Sequence, residues 1–577
     1  MGLSPANGIF NRRQCNILKD NKINSAIMKR IKIYFNNSRM AFFILLMGLI
    51  SCDDFLEISP KDQISDSYVW TDADQADLFL NNIYASLPSV INRFDPWENW
   101  SDDAMDGAEG TTSRNVYAIA AYTPSNAETQ WGQYSNIRKC NLFIENVTNS
   151  GLADEWKKLR LAEARFLRAY FYSLLWNWHG GVPVITDVLS YTEQGDEIFR
   201  ARNSSEETLK FITDECAAIA NDLPLTASQK GRITRGAALT LKGWCELFNA
   251  SPLHNSSNEK AKWTLAAATY KSVMNLNVYS LFPNYESLFY EENNFNNETI
   301  LARPQIGGTT LGRSTEGFAS ATYTGGTQTS YGMLNPTQEI VDEYAMANGL
   351  PITDPNSGYD PQNPYLNREK RFYQSIVYDG SVWNGIIMHS RLGKGSFNEL
   401  DLGISTTATN TGYYYRKGLK EKYAISGENK LSSANSILFR YAEVLLSYAE
   451  AQNEAVGPDA SVYNAVNAVR TRSELPALKE GLTQNEMRIA IRRERRVELA
   501  FEERRWYDLI RLKIAEEKLN GTLHAMKIEE IDGRLVYTVI PAPGGTRVFY
   551  ANRNYYIPIP QSAMDKNSKL EQNPNYN

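Results

Sequence analysis

Residues 153–181 read ADEWKKLRLAEARFLRAYFYSLLWNWHGG, and this stretch decides the class of fold. Trp156, Leu159, Phe166, Leu167, Tyr170 and Leu174 recur at three- and four-residue spacing, which lays them on one face and predicts a long helix over 153–178. Gly180 and Gly181 stop it, because glycine accepts the left-handed backbone of a helix C-cap. The pattern repeats on both sides. Upstream, 131–147 carries Tyr134, Ile137, Asn141, Ile144 and Val147 in register. Earlier still, Thr71 with Asp74 reads as an N-cap and first-turn acid ahead of Ala76, Phe79, Leu80, Ile83 and Leu87, until Pro88 ends the run. Downstream, helices are expected over 205–221, 235–249 and 259–275. Amphipathic helices in succession bury their apolar faces on one another, so a helical superhelix or bundle follows.

From Asn277 to about Lys430 the helical period fades, and Gly, Asn, Pro, Thr and Tyr accumulate, as in Gly307-Gly308-Thr309-Thr310 and Tyr323-Thr324-Gly325-Gly326. An ordered stretch of that length without regular structure is usually functional, and its aromatic residues argue for order. Helices then return over 433–454 and 461–472. Thr483 and Glu486 form a capping box, with Leu482 and Met487 as its hydrophobic staple, at the head of a helix that runs into Arg492 to Arg505. Arginines there alternate with acids three and four residues away, so the run predicts a structural Arg–Glu network that includes Arg495, Glu498 and Arg505, with most charge paired along the helix itself. The chain closes on a Pro-rich, turn-rich cap.

The 577 residues carry 60 basic and 66 acidic side chains, and a net charge of -6 gives no basic excess for nucleic acid. Thirty-three Tyr and 11 Trp exceed what a core absorbs, which points to an aromatic-lined surface. Four His leave little material for a histidine metal centre, and Cys140, Cys216 and Cys245 sit in apolar helical patterns as expected buried thiols.

Met40 to Ile50 is an apolar run of signal-peptide length, preceded by Lys29, Arg30, Lys32 and Arg39. It ends in Leu49-Ile50-Ser51-Cys52 followed by acids, which resembles a bacterial lipobox and makes Cys52 the expected acylation site. Met28 is the expected start, with 1–27 an over-extended N terminus and 28–51 the signal peptide. Removing 1–51, whose net charge is +7, takes the chain from -6 to -13.

Exposed rings stack on the C–H faces of sugars while carboxylates and amides take the hydroxyls. Asp95-Pro96-Trp97-Glu98-Asn99-Trp100 has that composition, and Trp97, Trp100, Trp383, Tyr323 and Tyr331 are the candidate ligand-binding residues. Asp102, Asp103 and Asp106 lack the full calcium-loop spacing, so no metal and no cofactor is expected. The chain lacks the HExxH, GxSxG, P-loop and Rossmann patterns, and a glycoside hydrolase would need a facing carboxylate pair, so binding is expected in place of catalysis.

The tail from Tyr556 to Tyr576, YIPIPQSAMDKNSKLEQNPNY, resembles the closing signature of the RagB/SusD family of outer-membrane nutrient-binding lipoproteins. Ala162 to Tyr170 with its Gly180-Gly181-Val182-Pro183 stop, Arg440 to Glu454, Ala468 to Arg472 and Arg495 to Arg511 resemble it too, in family order. The resemblance implies a mainly α fold, in which tetratricopeptide-like helix pairs form a superhelical scaffold with a long irregular insert. Residues 52–577 would be one such domain: an N-terminal helical part over 52–276, the insert over 277–430, and a C-terminal helical part and cap over 431–577. It implies a cell-surface protein, lipid-anchored in the outer membrane, that captures oligosaccharide for a SusC-like TonB-dependent transporter. Alternatives are a peptide or glycopeptide capture protein of the same transporter type, a protein-interaction scaffold, and a glycoside hydrolase. Family members often carry Gly near position 503, where this chain places an acid, Glu503, expected at the surface.

Overall fold

Local sequence chemistry places the helices close to where periodicity puts them. The computed structural model describes residues 66–89, 96–107, 115–310, 312–402, 408–425 and 431–576. The expected leader, the Met28 start and Cys52 lie outside the described residues. Helix α1 is Ala73–Tyr84, α2 is Gln133–Thr148, α3 is Asp154–His179, α4 is Ser205–Ile219, α5 is Arg235–Ala250 and α6 is Lys260–Met274. The cap of α1 is Asp72, not Thr71: its carboxylate accepts the amides of Asp74 at 2.9 Å and Gln75 at 3.1 Å. A carboxylate at the N terminus also favours the helix dipole. Helix α4 opens with a capping box of Ser204 and Glu207, and Gly180 ends α3 with φ +74°.

After the insert come α7, Tyr441–Val456, α8, Ala460–Arg472, α9, Gln484–Glu498, and α10, Arg505–Arg511. Thr483 and Glu486 form the predicted capping box of α9. The helix expected over 433–454 begins only at Tyr441, because Ser436–Arg440 is a strand paired antiparallel with Thr299–Arg303. Those two strands zip together the entry and exit of the insert. Each long helix from α2 to α6 packs on the next, and α6 packs directly on α7, so the helical layer continues across the insert as though it were absent. This is the mainly α architecture of paired helices that the sequence predicts. Ser67–Asn577 forms one compact unit.

Among the described residues there are two large apolar cores and a small third cluster of Met105, Leu400, Ala525 and Ala542. One fills the helical layer around Phe166, Leu167, Leu241, Tyr270 and Leu446. The second lies under the insert around Tyr344, Phe372, Trp383 and Tyr413, and receives Val497, Ala500 and Phe501 from the end of α9. It also receives Met526 and Ile528 from a long antiparallel hairpin, Gly521–Ile531 with Arg534–Arg547. The helical period does not predict this hairpin, which precedes the Pro-rich cap around Tyr555–Gln561. Its signal is Asp532-Gly533, both at positive φ, a two-residue turn whose twist matches the strands.

Insert and scaffold are joined by buried charge. Arg440 reaches Glu498 and Glu502 at 2.6 Å and Glu298 at 2.7 Å, while Arg371 of the insert reaches Glu494 at 2.7 Å and Glu498 at 2.9 Å. Lys417, also of the insert, meets Glu502 at 2.6 Å. Arg495 pairs with Asp508 at 2.9 Å, and Arg505 with Asp102 at 2.7 Å. The partners of the α9 charges therefore come from other elements, and the expected pairing along the helix gives way to long-range pairing. Burial explains this, because a helix with charges facing the interior must find counter-charges on whatever packs against it. Asp102 and Asp103, the acids considered for calcium, are held by Arg496 at 3.0 and 2.6 Å. Glu503 is buried, not at the surface as expected, and sits at φ +56°, the backbone region that explains a family preference for Gly there. Its amide donates to Glu98 Oε2 at 3.0 Å.

Candidate functional site

Most of the candidate rings are spent on packing. Trp97 and Trp100 lie in a short 3₁₀ turn that points inward, 7% and 1% exposed. Trp100 stacks on Tyr117 at 3.8 Å with a 12° interplanar angle and meets Trp178 and Trp506 edge-on. A ring enclosed in this way, with one face on a stacked partner and the rest walled by two further rings, has no free face for a sugar. Trp383 is 0% exposed, part of the core under the insert, with the Arg416 guanidinium 5.8 Å from its ring. These three expectations are corrected by burial. The short Trp97 to Trp100 turn belongs to the helical core, and Trp383 turns inward beside the tip of the hairpin Val382-Trp383/Ile386-Ile387, whose Val382 and Ile387 face outward.

The two tyrosines keep some exposure, each stacked on a different ring. Tyr323-Thr324 and Thr327-Gln328 form a hairpin whose turn is Gly325-Gly326, with φ +58° and +82°. Tyr323, partly exposed, stacks on Phe397 at 5.3 Å and 30°. Phe397 is 62% exposed. Three residues beyond the hairpin, Tyr331 is 45% exposed and stacks against Phe318 at 5.9 Å and 26°. A Cβ on Gly326 would lie 3.6 Å from the Phe397 ring, and one on Gly325 would lie 3.0 Å from Ile386 Cδ1. The hairpin tip is therefore pressed against both neighbours, which is the close approach that glycine permits.

Phe397 was missed by a reading that searched Trp and Tyr. The signal that could have found it is its setting, Gly393-Lys394-Gly395-Ser396-Phe397-Asn398-Glu399, a glycine-rich turn closed by an acid. Glu399 accepts the amides of Gly393 at 3.1 Å and Ser396 at 3.2 Å, together with that of Gly395. The side-chain amide of Asn398 pairs with the backbone of Tyr323, its Nδ2 donating to the carbonyl at 2.9 Å and its Oδ1 accepting the amide N–H at 3.1 Å. The buried hydroxyl of Tyr414 donates to the same Asn398 oxygen at 2.9 Å. The loop thus holds Phe397 against Tyr323 before any ligand arrives, so little ordering entropy remains to be lost on binding.

Beside these rings, Thr327 and Gln328 are exposed, and their hydroxyl and amide supply the mixed donors and acceptors that ring hydroxyls need. Two carboxylates of the adjoining loops are otherwise committed. Glu399 is wrapped by backbone amides, and Asp379 accepts a forked pair from Arg391 at 2.9 and 2.6 Å. The arrangement can hold the apolar face of a ring against aromatic carbon and satisfy its edges with neutral polar groups.

Known proteins share this architecture. The model of the family described as "SusD family" matches residues 297–576, and one described as "Starch-binding associating with outer membrane" matches 54–242. SusD-like protein P2 of Formosa agariphila is 26% identical over 571 residues, 93% of this chain and 99% of that protein. SusD-like protein P38 of the same organism is 25% identical, covering 86% of this chain and 95% of its own length. A SusD-like protein of Bacteroides fragilis superposes with a TM-score of 0.75 at 27% identity over 89% of this chain and 99% of its own. A structure described as a SusD-like carbohydrate binding protein, also from Bacteroides fragilis, superposes at 0.73 with 26% identity over 87% of this chain and 99% of its own.

Proposed function

This chain belongs to the RagB/SusD family, and from that premise we propose that it binds glycan at the outer membrane, on the aromatic platform of its insert, without cleaving it. The observation that carries this reading is the Tyr323/Phe397 pair, an exposed stacked surface locked in place by Glu399 and Asn398. It is supported by the carbohydrate-binding description of one similar structure and by the outer-membrane description of the matching family model.

The finer picture completes the proposal. Residues 28–51 direct export, Cys52 carries the lipid, and 52–577 works as one domain that offers oligosaccharide to a SusC-like TonB-dependent transporter. Peptide or glycopeptide capture is the second reading, because an apolar surface that includes Ile386 and Ile387 would also accept side chains. A glycan array followed by calorimetry on Phe397→Ala and Tyr323→Ala decides between them. Glycan binding lost in both variants supports the platform, capture of peptides with no glycan bound supports the second reading, and release of reducing ends over time would overturn the non-catalytic one.

A further inference from the structure

A second concave site lies on the helical layer and shares no residue with the platform. It is a cavity of about 350 Å³ between α2, the strap 183–200 and the C-terminal segment around Leu570. Its walls are apolar: Trp131, Tyr134, Leu189, Ile198, Phe199 and Leu570. Side chains tie the three walls together. Tyr134 donates to the Pro183 carbonyl at 2.8 Å, Asn141 to those of Ile185 and Asp187 at 3.1 and 3.0 Å, and Asn567 to that of Arg200 at 2.8 Å. The cavity is thus held open by bonds within the fold.

Its rim is cationic. Among the lining residues Arg138, Arg200 and Lys566 are exposed, and the one acid is Asp187, which pairs with Arg200 at 3.4 Å.

Polar occupants fit poorly. Five carbonyls that border the cavity, those of Pro183, Ile185, Asp187, Leu189 and Arg200, already accept bonds from side chains of the protein. A sugar or a peptide backbone would bring more donors than the remaining lone pairs of these carbonyls can serve between apolar walls, which costs binding energy. A hydrocarbon chain has no such groups, and its transfer from water is favourable. The volume is that of a small-molecule site.

We propose that this groove binds a free amphipathic carboxylate, with an aliphatic or arylalkyl chain against Trp131, Phe199 and Leu570 and the carboxylate among Arg138, Arg200 and Lys566. The site stands independently of the glycan reading.

The test is calorimetric titration of the full chain with sodium decanoate below its micellar concentration, beside decanol as the neutral chain and butyrate as the short acid. Saturable 1:1 binding of decanoate is expected, about fivefold or more tighter than decanol. Lys566→Glu, at an exposed position, is expected to remove that preference while leaving decanol binding in place. Phe199→Asp should weaken both ligands. No saturable decanoate binding, equal affinity for decanoate and decanol, or indifference to both substitutions would overturn the proposal. Binding to anionic lipid vesicles without binding to decanoate would overturn it as well, by assigning the cationic rim to a membrane surface.

Discussion

Arg440 Nη1 lies 2.6 Å from Glu498 Oε1 in the interior, where the insert's neck meets the end of α9, and both side chains are fully enclosed. Arg371 and Arg472 converge on the same carboxylate. Glu498→Ala leaves three guanidinium groups short of a counter-charge, and breaking a buried pair in this way costs about 3 to 5 kcal/mol. Denaturant unfolding should show that loss, while glycan affinity per folded molecule stays unchanged. Stability untouched with binding sharply reduced would move the site onto α9.

The same network sets the acid limit of the fold. Burial alone would raise the Glu502 carboxyl, yet Arg440 and Lys417 bring it from 4.5 to about 2. Burial is likewise outweighed at Asp508, where Arg495 and Arg511 bring it from 3.8 to about 2. Both groups are depressed, so their stabilisation is complete above about pH 4.5 and drains away as pH falls toward 2. Glu98 has the opposite sign. Its burial, reinforced by Asp103 and Glu503, raises it well above 4.5, so its contribution is present at low pH and is lost as pH rises through the raised value. Unfolding followed across pH should show a steep acid limb, and Glu98→Gln should flatten the decline on the alkaline side.

Phe397→Ala removes an exposed ring from a loop held by other bonds. We expect glycan affinity to fall by about 1 to 3 kcal/mol, roughly five- to 150-fold in Kd, with the unfolding midpoint unmoved. Glu399→Ala should give a similar binding loss by another route, because the amides of Gly393, Gly395 and Ser396 lose their shared acceptor and the loop no longer presents the ring. Unaltered calorimetric titrations in both variants would exclude the platform.

Trp100→Ala and Trp383→Ala should behave as core deletions. Each empties a packed site and is expected to cost about 3 to 5 kcal/mol of stability, read as a lowered unfolding midpoint. Glycan affinity of the fraction that remains folded is expected to be retained. Selective loss of binding at full stability would restore either ring as a ligand contact.

Anchoring is tested by Cys52→Ser. Membrane fractionation of a native-like host should find the protein released or left as unprocessed precursor. Normal maturation with unchanged membrane retention would refute the lipid anchor. Abundant product after mutation of Met28 would place the start at Met1.

Sequence alone determined most of the long helices and the Thr483/Glu486 box, because each is set by residues within about a turn of one another, while it placed the cap of α1 one residue early and the start of α7 several residues early. It also marked the irregular insert and the aromatic excess. It could not say which rings stay outside. Trp100 and Tyr323 both stand in polar, turn-prone stretches, and only the packing of Tyr117, Trp178 and Trp506 around one, and of Phe397 beside the other, separates core from surface. The charge partners of α9 were beyond sequence reading for the same reason. Arg505 finds Asp102 across 403 residues of chain, and Arg496 finds Asp103 across 393. A contact made at that separation leaves no periodic trace in the sequence, since its geometry exists only once the helical layer has closed and brought these distant segments together.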